Sequence, residues 1–268
     1  MTPDAVITST KNPRVVAAVA LRDRRARDAA GLTLVDGVRE LSRALAAGAR
    51  VAEVFVDESA LDDDGTAVLT AARAAGAAIT PVGTAVLGRL AYGDRSEGVV
   101  GTVAIPDLDL AGLTLPPDPL LVVLEAVEKP GNLGAVLRSA DGAGADAVIL
   151  ADARTDAFNP NAVRASIGTI FAMPLAAAPS REVRAWLTAA GIRILAARVD
   201  AAVDYTEADL SGACAIVLGS EAEGLTGAWS GDGVTAIRLP MLGVADSLNV
   251  SITAAVLLYE ARRQRGAK

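Results

Sequence analysis

The chain reads as an α/β protein, with a mostly parallel sheet in its C-terminal half and a separate α/β unit in front of it. Three observations point there. Apolar runs of strand length alternate with helical patterns along the whole chain. The run Leu120-Leu121-Val122-Val123-Leu124 is apolar at every position, as a strand covered on both faces must be. Four prolines fall between Pro106 and Pro119 and mark an extended linker over residues 106–119.

In the first part, residues 1–105, a helix is expected to open after Asn12-Pro13 and run to Ala20. Leu32 to Val35 suits a strand, and Val38 to Ala47 a helix that Gly48 stops. Val51 to Val56 suits a strand, Thr66 to Ala75 a helix ended by Gly76, and Ala77 to Val82 and Gly98 to Ala104 two more strands. In the second part, residues 120–268, strands are expected at 120–124, 147–150, 192–196, 213–218 and 236–239. Helices are expected at Asn132–Gly142, Asn161–Phe171, Ser180–Ala190 and from about Leu248 to Arg263.

Composition narrows the chemistry. The chain has 268 residues, is 52% hydrophobic and only 3% aromatic, and carries a formal charge of −7. It has no histidine, which removes the usual general base and the commonest metal ligand. Its one cysteine, Cys214, lies in an apolar run and reads as a buried core residue. No disulfide within the chain, cysteine zinc site or other metal site is expected. Nothing resembles a signal peptide or an 18-residue apolar span, so a soluble cytoplasmic protein without membrane contact is expected. Charge is uneven: residues 11–50 hold nine basic side chains against four acidic ones. Arg22, Arg24, Arg25, Arg27 and Arg39 in this stretch are candidates for following a phosphate backbone, or form a solvated helix face of mixed charge.

Three segments place polar residues where apolar strands end. In Glu125-Ala126-Val127-Glu128-Lys129-Pro130-Gly131-Asn132, a strand gives way to a helix that Asn132 can cap. Arg138 lies six residues further on. In Leu218-Gly219-Ser220-Glu221-Ala222-Glu223-Gly224, two glycines bracket a charged loop and let backbone approach a ligand. In Ile237-Arg238-Leu239-Pro240-Met241, followed by Ser247-Leu248-Asn249-Val250-Ser251, polar and apolar residues alternate before a helix for which Ser247 or Asn249 is the cap. Each alone also fits an ordinary strand-to-helix turn. A dinucleotide site is disfavoured, because Gly142 and Gly144 follow a helix and precede a strand, the reverse of the required order.

Taken together, in order and at this spacing, the three segments resemble the motifs of the SpoU-type (TrmH-like) branch of the SPOUT RNA methyltransferases. The resemblance covers roughly Leu120 to Arg265, and Asn159 to Phe171 is similar to the helix between that family's first and second motifs. The first part resembles, more weakly, a substrate-binding domain of the ribosomal-protein L30e type, through Ile7-Thr8-Ser9, Asn12-Pro13 and Val35 to Glu40. Many relatives have Glu where this chain has Asp36.

The resemblance implies a deep trefoil knot in the C-terminal sheet, a homodimer that shares its active site, and transfer of a methyl group from S-adenosyl-L-methionine to a ribose 2′-hydroxyl of RNA. Ribosomal RNA is favoured over tRNA, and a catalytically inactive RNA-binding relative is the other alternative. The resemblance further implies a cofactor site built from Leu218, Gly219, Ser220, Gly224, Ile237, Leu239, Met241, Leu248 and Val250. It places Arg138 beside the 2′-hydroxyl, with Asn132, Glu221, Asn249 and Ser247 holding Arg138 and the ribose, and Arg164 on an RNA phosphate.

Overall fold

The computed structural model describes residues 5–92 and 97–266. The chain divides into two compact units. One runs to Pro106 and takes in Asp156–Ala172; the other comprises Asp107–Thr155 and the chain from Met173 onward. Residues 156–172, read above as part of the C-terminal half, therefore pack with the first unit.

The first unit contains helices α1 (Pro13–Ala20) and α2 (Arg24–Ala30), strand β1 (Leu32–Asp36), α3 (Val38–Ala46), β2 (Val51–Val56), α4 (Asp63–Ala74), β3 (Ala78–Pro81), α5 (Thr84–Leu90), β4 (Val99–Ala104) and, from the later segment, α7 (Pro160–Ala165). Its four strands lie in the order β1-β4-β2-β3, antiparallel except for the β2–β3 pair. Phe55, Leu34, Val86, Leu87 and Leu90 fill one core cluster. Gly101 on β4 leaves space for Leu41 of α3, whose methyl group would meet a Cβ there at 2.8 Å.

The second unit has strands β5 (Leu120–Glu125), β6 (Ala147–Ala151), β7 (Leu175–Ala178), β8 (Arg193–Ala197), β9 (Val203–Asp204), β10 (Cys214–Leu218) and β11 (Val234–Arg238). Its helices are α6 (Pro130–Ala143), α8 (Ser180–Ala189) and α9 (Val250–Gln264). The strand order is β7-β6-β5-β10-β8-β11-β9, and every pair is parallel. The buried apolar side chains of Leu120 to Leu124 favour this arrangement by roughly 2 kcal/mol each. Leu121, Val123, Ile149 and Val217 meet Val183, Leu187 and Trp229 in one core. Helices α6 and α9 pack on each other, and α9 packs on β10.

Several expectations shift. Helix α6 begins at Pro130, with Lys129 at the cap position, so Asn132 lies inside the first turn and does not cap it. Helix α4 begins at Asp63 because Asp62 accepts from the Gly65 amide at 2.8 Å. The helix expected over 161–171 stops at Ala165; Ile167 and Gly168 both take positive φ, and a short 3-10 turn follows at Thr169–Phe171. The Pro-rich stretch is not a free linker. Ala177 donates its amide to the Leu108 carbonyl at 2.8 Å, and Leu110 joins the core of the second unit. Cys214 is buried as expected, and burial pushes its thiol pKa up. No helix among the described residues is long and apolar enough to cross a membrane.

Candidate active site

Ligands of open parallel sheets bind beyond the C-terminal ends of the strands. In the second unit a cavity of about 440 Å³ opens at that edge, below the ends of the adjacent strands β10, β8 and β11. Its wall includes all nine residues expected to bind a cofactor: Leu218 at the end of β10 with Gly219, Ser220 and Gly224 after it, Ile237, Leu239 and Met241 at the end of β11, and Leu248 before α9 with Val250 at its first position. Glu221 and Ser247 line it too. The size suits a small organic ligand.

Gly219 explains the shape of the loop. A Cβ on it would overlap the carbonyl group of Gly224, and residues 220 and 224 form a bridge that closes the loop on itself. Gly224 has φ +67°, which glycine adopts without strain. The base of the loop is tied down by Glu125, a fully buried carboxylate at the end of β5. Its Oε1 accepts from the hydroxyls of Ser180 and Thr226, each at 2.7 Å, and its Oε2 accepts from the Thr226 amide at 2.7 Å.

Beside this cavity the three motifs meet in one polar cluster. Glu221 Oε1 accepts from Asn132 Nδ2 at 2.7 Å and from Asn249 Nδ2 at 2.6 Å. Asn249 Nδ2 also approaches Asn132 Oδ1 at 3.3 Å. Lys129 Nζ pairs with Glu221 Oε2 at 2.8 Å. This ammonium, helped by the Asn132 amide, holds the Glu221 carboxyl below its ordinary pKa against a smaller opposing effect of burial. Asn249 works at both ends of its side chain. Its Oδ1 caps α9 by accepting from the Ser251 amide at 3.0 Å, while its Nδ2 serves the cluster. A smaller cavity of about 210 Å³ lies against Val127, Lys129, Asn132, Ser220, Glu221 and Val250, so Glu221 borders both spaces.

The other expected residues are placed differently. Ser247 lines the larger cavity without a hydrogen bond among the described residues. Arg138 is exposed on α6, outside both cavity walls, and makes no hydrogen bond or ion pair among the described residues. Arg164 lies in the first unit, 43% exposed, with Asp36 at 3.9 Å. Arg24, Arg25 and Arg39 are exposed. Arg22 is half-buried; its guanidinium donates to the carbonyls of Arg89 and Ala91 at 3.0 and 2.6 Å and lies over the Tyr92 ring.

Arg27 must be withdrawn as a phosphate contact. It is 1% exposed, ion-paired with Asp156, and donates to the carbonyls of Leu21 and Arg22 at 2.7 and 2.8 Å, so no donor faces solvent. The residues that sequence reasoning passed over are Lys129, Glu125 and the far cavity wall of Arg198, Asp200 and Thr253. A lysine at a strand-to-helix turn, in a chain with only three lysines against 22 arginines, was the available signal for the first.

A parallel α/β unit with a ligand cavity at the strand ends and a carboxylate–amide cluster beside it defines a class of α/β enzymes that bind a small organic cofactor. The SpoU rRNA Methylase family model matches residues 119–259, and a model described as the MRM3-like substrate binding domain matches residues 12–101. The chain belongs to the SpoU rRNA methylase family. It is 33% identical to the 23S rRNA (uridine(2479)-2′-O)-methyltransferase of Streptomyces viridochromogenes, over 98% of this chain and 94% of that one. A crystal structure of an RNA 2′-O ribose methyltransferase is similar at 41% identity and a TM-score of 0.85, covering 97% of this chain and 99% of the other. An AdoMet-bound rRNA methyltransferase from Sinorhizobium meliloti is similar at 30% identity and a TM-score of 0.88, covering 97% of each chain.

Proposed function

We infer that this chain is an RNA (ribose-2′-O)-methyltransferase that uses S-adenosylmethionine, with 23S ribosomal RNA as its substrate. The observation that carries the reading is the convergence of three sequence-distant loops, 218–225, 237–241 and 246–250, on one cavity beside the Asn132–Glu221–Asn249 cluster. The cavity fits the cofactor. It has apolar walls from Leu218, Ile237, Leu239 and Val250, and a cradle at Gly219–Gly224 that a side chain would fill. Bound there, S-adenosylmethionine supplies an electrophilic methyl group.

The chain's own residues position the nucleophile. A ribose hydroxyl attacks poorly, so alignment with the methyl group is the main source of acceleration. Glu221 is a poor general base, because both its oxygens accept hydrogen bonds and its carboxyl is held below the ordinary range. It serves as the anchor that fixes the two asparagine amides. The Arg138 guanidinium orients the ribose and stabilises developing oxyanion character, while the proton passes to water or an RNA phosphate oxygen. Ser247 supports the same geometry from the loop before α9.

The protein acts as a soluble cytoplasmic homodimer that shares its active site. Leu242 and Val244 stand fully exposed on the cavity loop, and Ile252 and Tyr259 on α9 are more than half exposed, an apolar surface suited to a second copy. The path from β11 through this loop to α9 forms the deep trefoil knot. The first unit is an L30e-like RNA-binding domain in which Arg24, Arg25, Arg39 and Arg164 follow phosphates.

Mapping 2′-O-methyl sites in ribosomal RNA from cells with and without the gene tests the reading. One site lost from 23S RNA is expected. Intact 23S RNA with a site lost from tRNA would move the substrate assignment to tRNA.

A further inference from the structure

Lys129 stands at the junction of strand β5 and helix α6. Its backbone is fixed, because its carbonyl accepts from the amides of Asn132 and Leu133 at 3.0 and 3.2 Å and Pro130 follows at the first helical position. Its side chain is 72% exposed, yet Nζ reaches back 2.8 Å to Glu221 Oε2. The other carboxylate oxygen carries both asparagine amides. An arginine here would present a planar fork matched to both oxygens and would compete with the amides for Oε1; an ammonium is a point charge that takes one oxygen. The choice of lysine in an arginine-rich chain has a geometric reason.

We propose that Lys129 is a positioning residue for methyl transfer: by occupying Glu221 Oε2 alone, it turns Glu221 so that Oε1 orients Asn132 and Asn249 toward the ribose. This rests on the methyltransferase reading above. The charges around Glu221 support the assignment. Glu128 adjoins Lys129, and Glu223 lies on the Glu221 loop, but both pair with Arg154, at 2.8 Å from each, and turn to it rather than to Lys129. Asp246, Asp200 and Arg198 line the larger cavity, the last two paired with each other at 3.0 Å. Among the described residues, Lys129 is therefore the cation in direct contact with Glu221. With the carboxyl held low by that contact, the cluster stays assembled at and above the ordinary glutamate pKa and comes apart only as pH falls through the lowered value.

The test compares wild type, K129M and K129R by two readouts. One is the pH dependence of kcat with a 23S RNA fragment and S-adenosylmethionine. The other is the Glu221 carboxyl titration followed by carbon-detected NMR in the RNA-free protein. In K129M the carboxyl titrates higher, the acid limb of kcat moves up with it, and kcat at neutral pH falls about tenfold, while KM for RNA changes little. K129R returns the titration and the acid limb toward wild type and recovers kcat in part. Because Lys129 is exposed, K129M is expected to melt with the wild type.

A wild-type Glu221 titration in K129M overturns the proposal. So does a loss confined to KM for RNA with a flatter salt dependence, which makes Lys129 a phosphate contact. If the wild-type protein transfers no methyl group at all, the methyltransferase reading fails, and the NMR titration still decides whether Lys129 governs Glu221.

Discussion

Gly219 has no room for a side chain, because a Cβ would strike the Gly224 carbonyl across a closed loop. Gly219→Ala is expected to force the loop open, destabilise the second unit by about 1–3 kcal/mol and abolish S-adenosylmethionine binding. Calorimetric titration with a parallel melting curve checks both; wild-type affinity would show that the loop tolerates opening. Arg138→Ala is expected to remove transfer while leaving cofactor affinity within about twofold, since Arg138 lies outside the cavity wall. Turnover at the wild-type rate would take the residue out of the mechanism. At this scale residue types were legible and partners were not. Asn132 looked like a helix cap, but the helix starts two residues earlier at Pro130, which leaves its amide free for Glu221. Arg27 looked like a surface cation, yet its partner Asp156 lies 129 positions away, a pairing that no local pattern carries.

Helix α9 couples folding to the site through its cap. Asn249→Ser keeps a good cap and removes the amide that reaches Glu221. The variant is expected to melt within a few degrees of wild type and to lose at least about tenfold in kcat, one tenfold step per 1.4 kcal/mol of lost interaction. Asn249→Ala would lose the cap as well, for about 1 kcal/mol more in stability. If the serine variant keeps full activity, Asn249 is only a cap. Long elements with strong periodicity were legible: β5, β10, α3 and α9 lie within two residues of expectation. Short ones were not. Strand β9 spans two residues, β7 is one leucine followed by three alanines, Leu175–Ala178, and α2 is nearly all arginine and alanine, so none carries an apolar rhythm. The break after α7 depends on positive φ at Ile167, a strained choice for a β-branched residue that sequence gives no reason to expect.

At the scale of the whole chain, the basic N-terminal stretch separates into a buried, ion-paired Arg27 and exposed side chains such as Arg24 and Arg25. Arg27→Ala removes one partner of a buried ion pair and is expected to cost roughly 3 kcal/mol or more of stability, read as a lower melting temperature. The double variant Arg24→Ala with Arg25→Ala changes exposed side chains, so it is expected to melt normally but to bind RNA less tightly, with a shallower dependence on salt. An unchanged salt slope would remove these two arginines from recognition. The two-part organisation was legible from the Pro-rich stretch, but the return of residues 156–172 to the first unit was not. That return depends on contacts such as the Thr33 hydroxyl donating to the Phe158 carbonyl at 2.6 Å across 125 positions.

The central claim is that the cavity under β10 and β11 presents a methyl group to a ribose hydroxyl. The purified protein, given 23S RNA and S-adenosylmethionine carrying a labelled methyl group, should yield a single labelled nucleoside on digestion, with the methyl on its 2′-oxygen. Label on a base, or RNA that stays unlabelled while the cofactor binds, would contradict it.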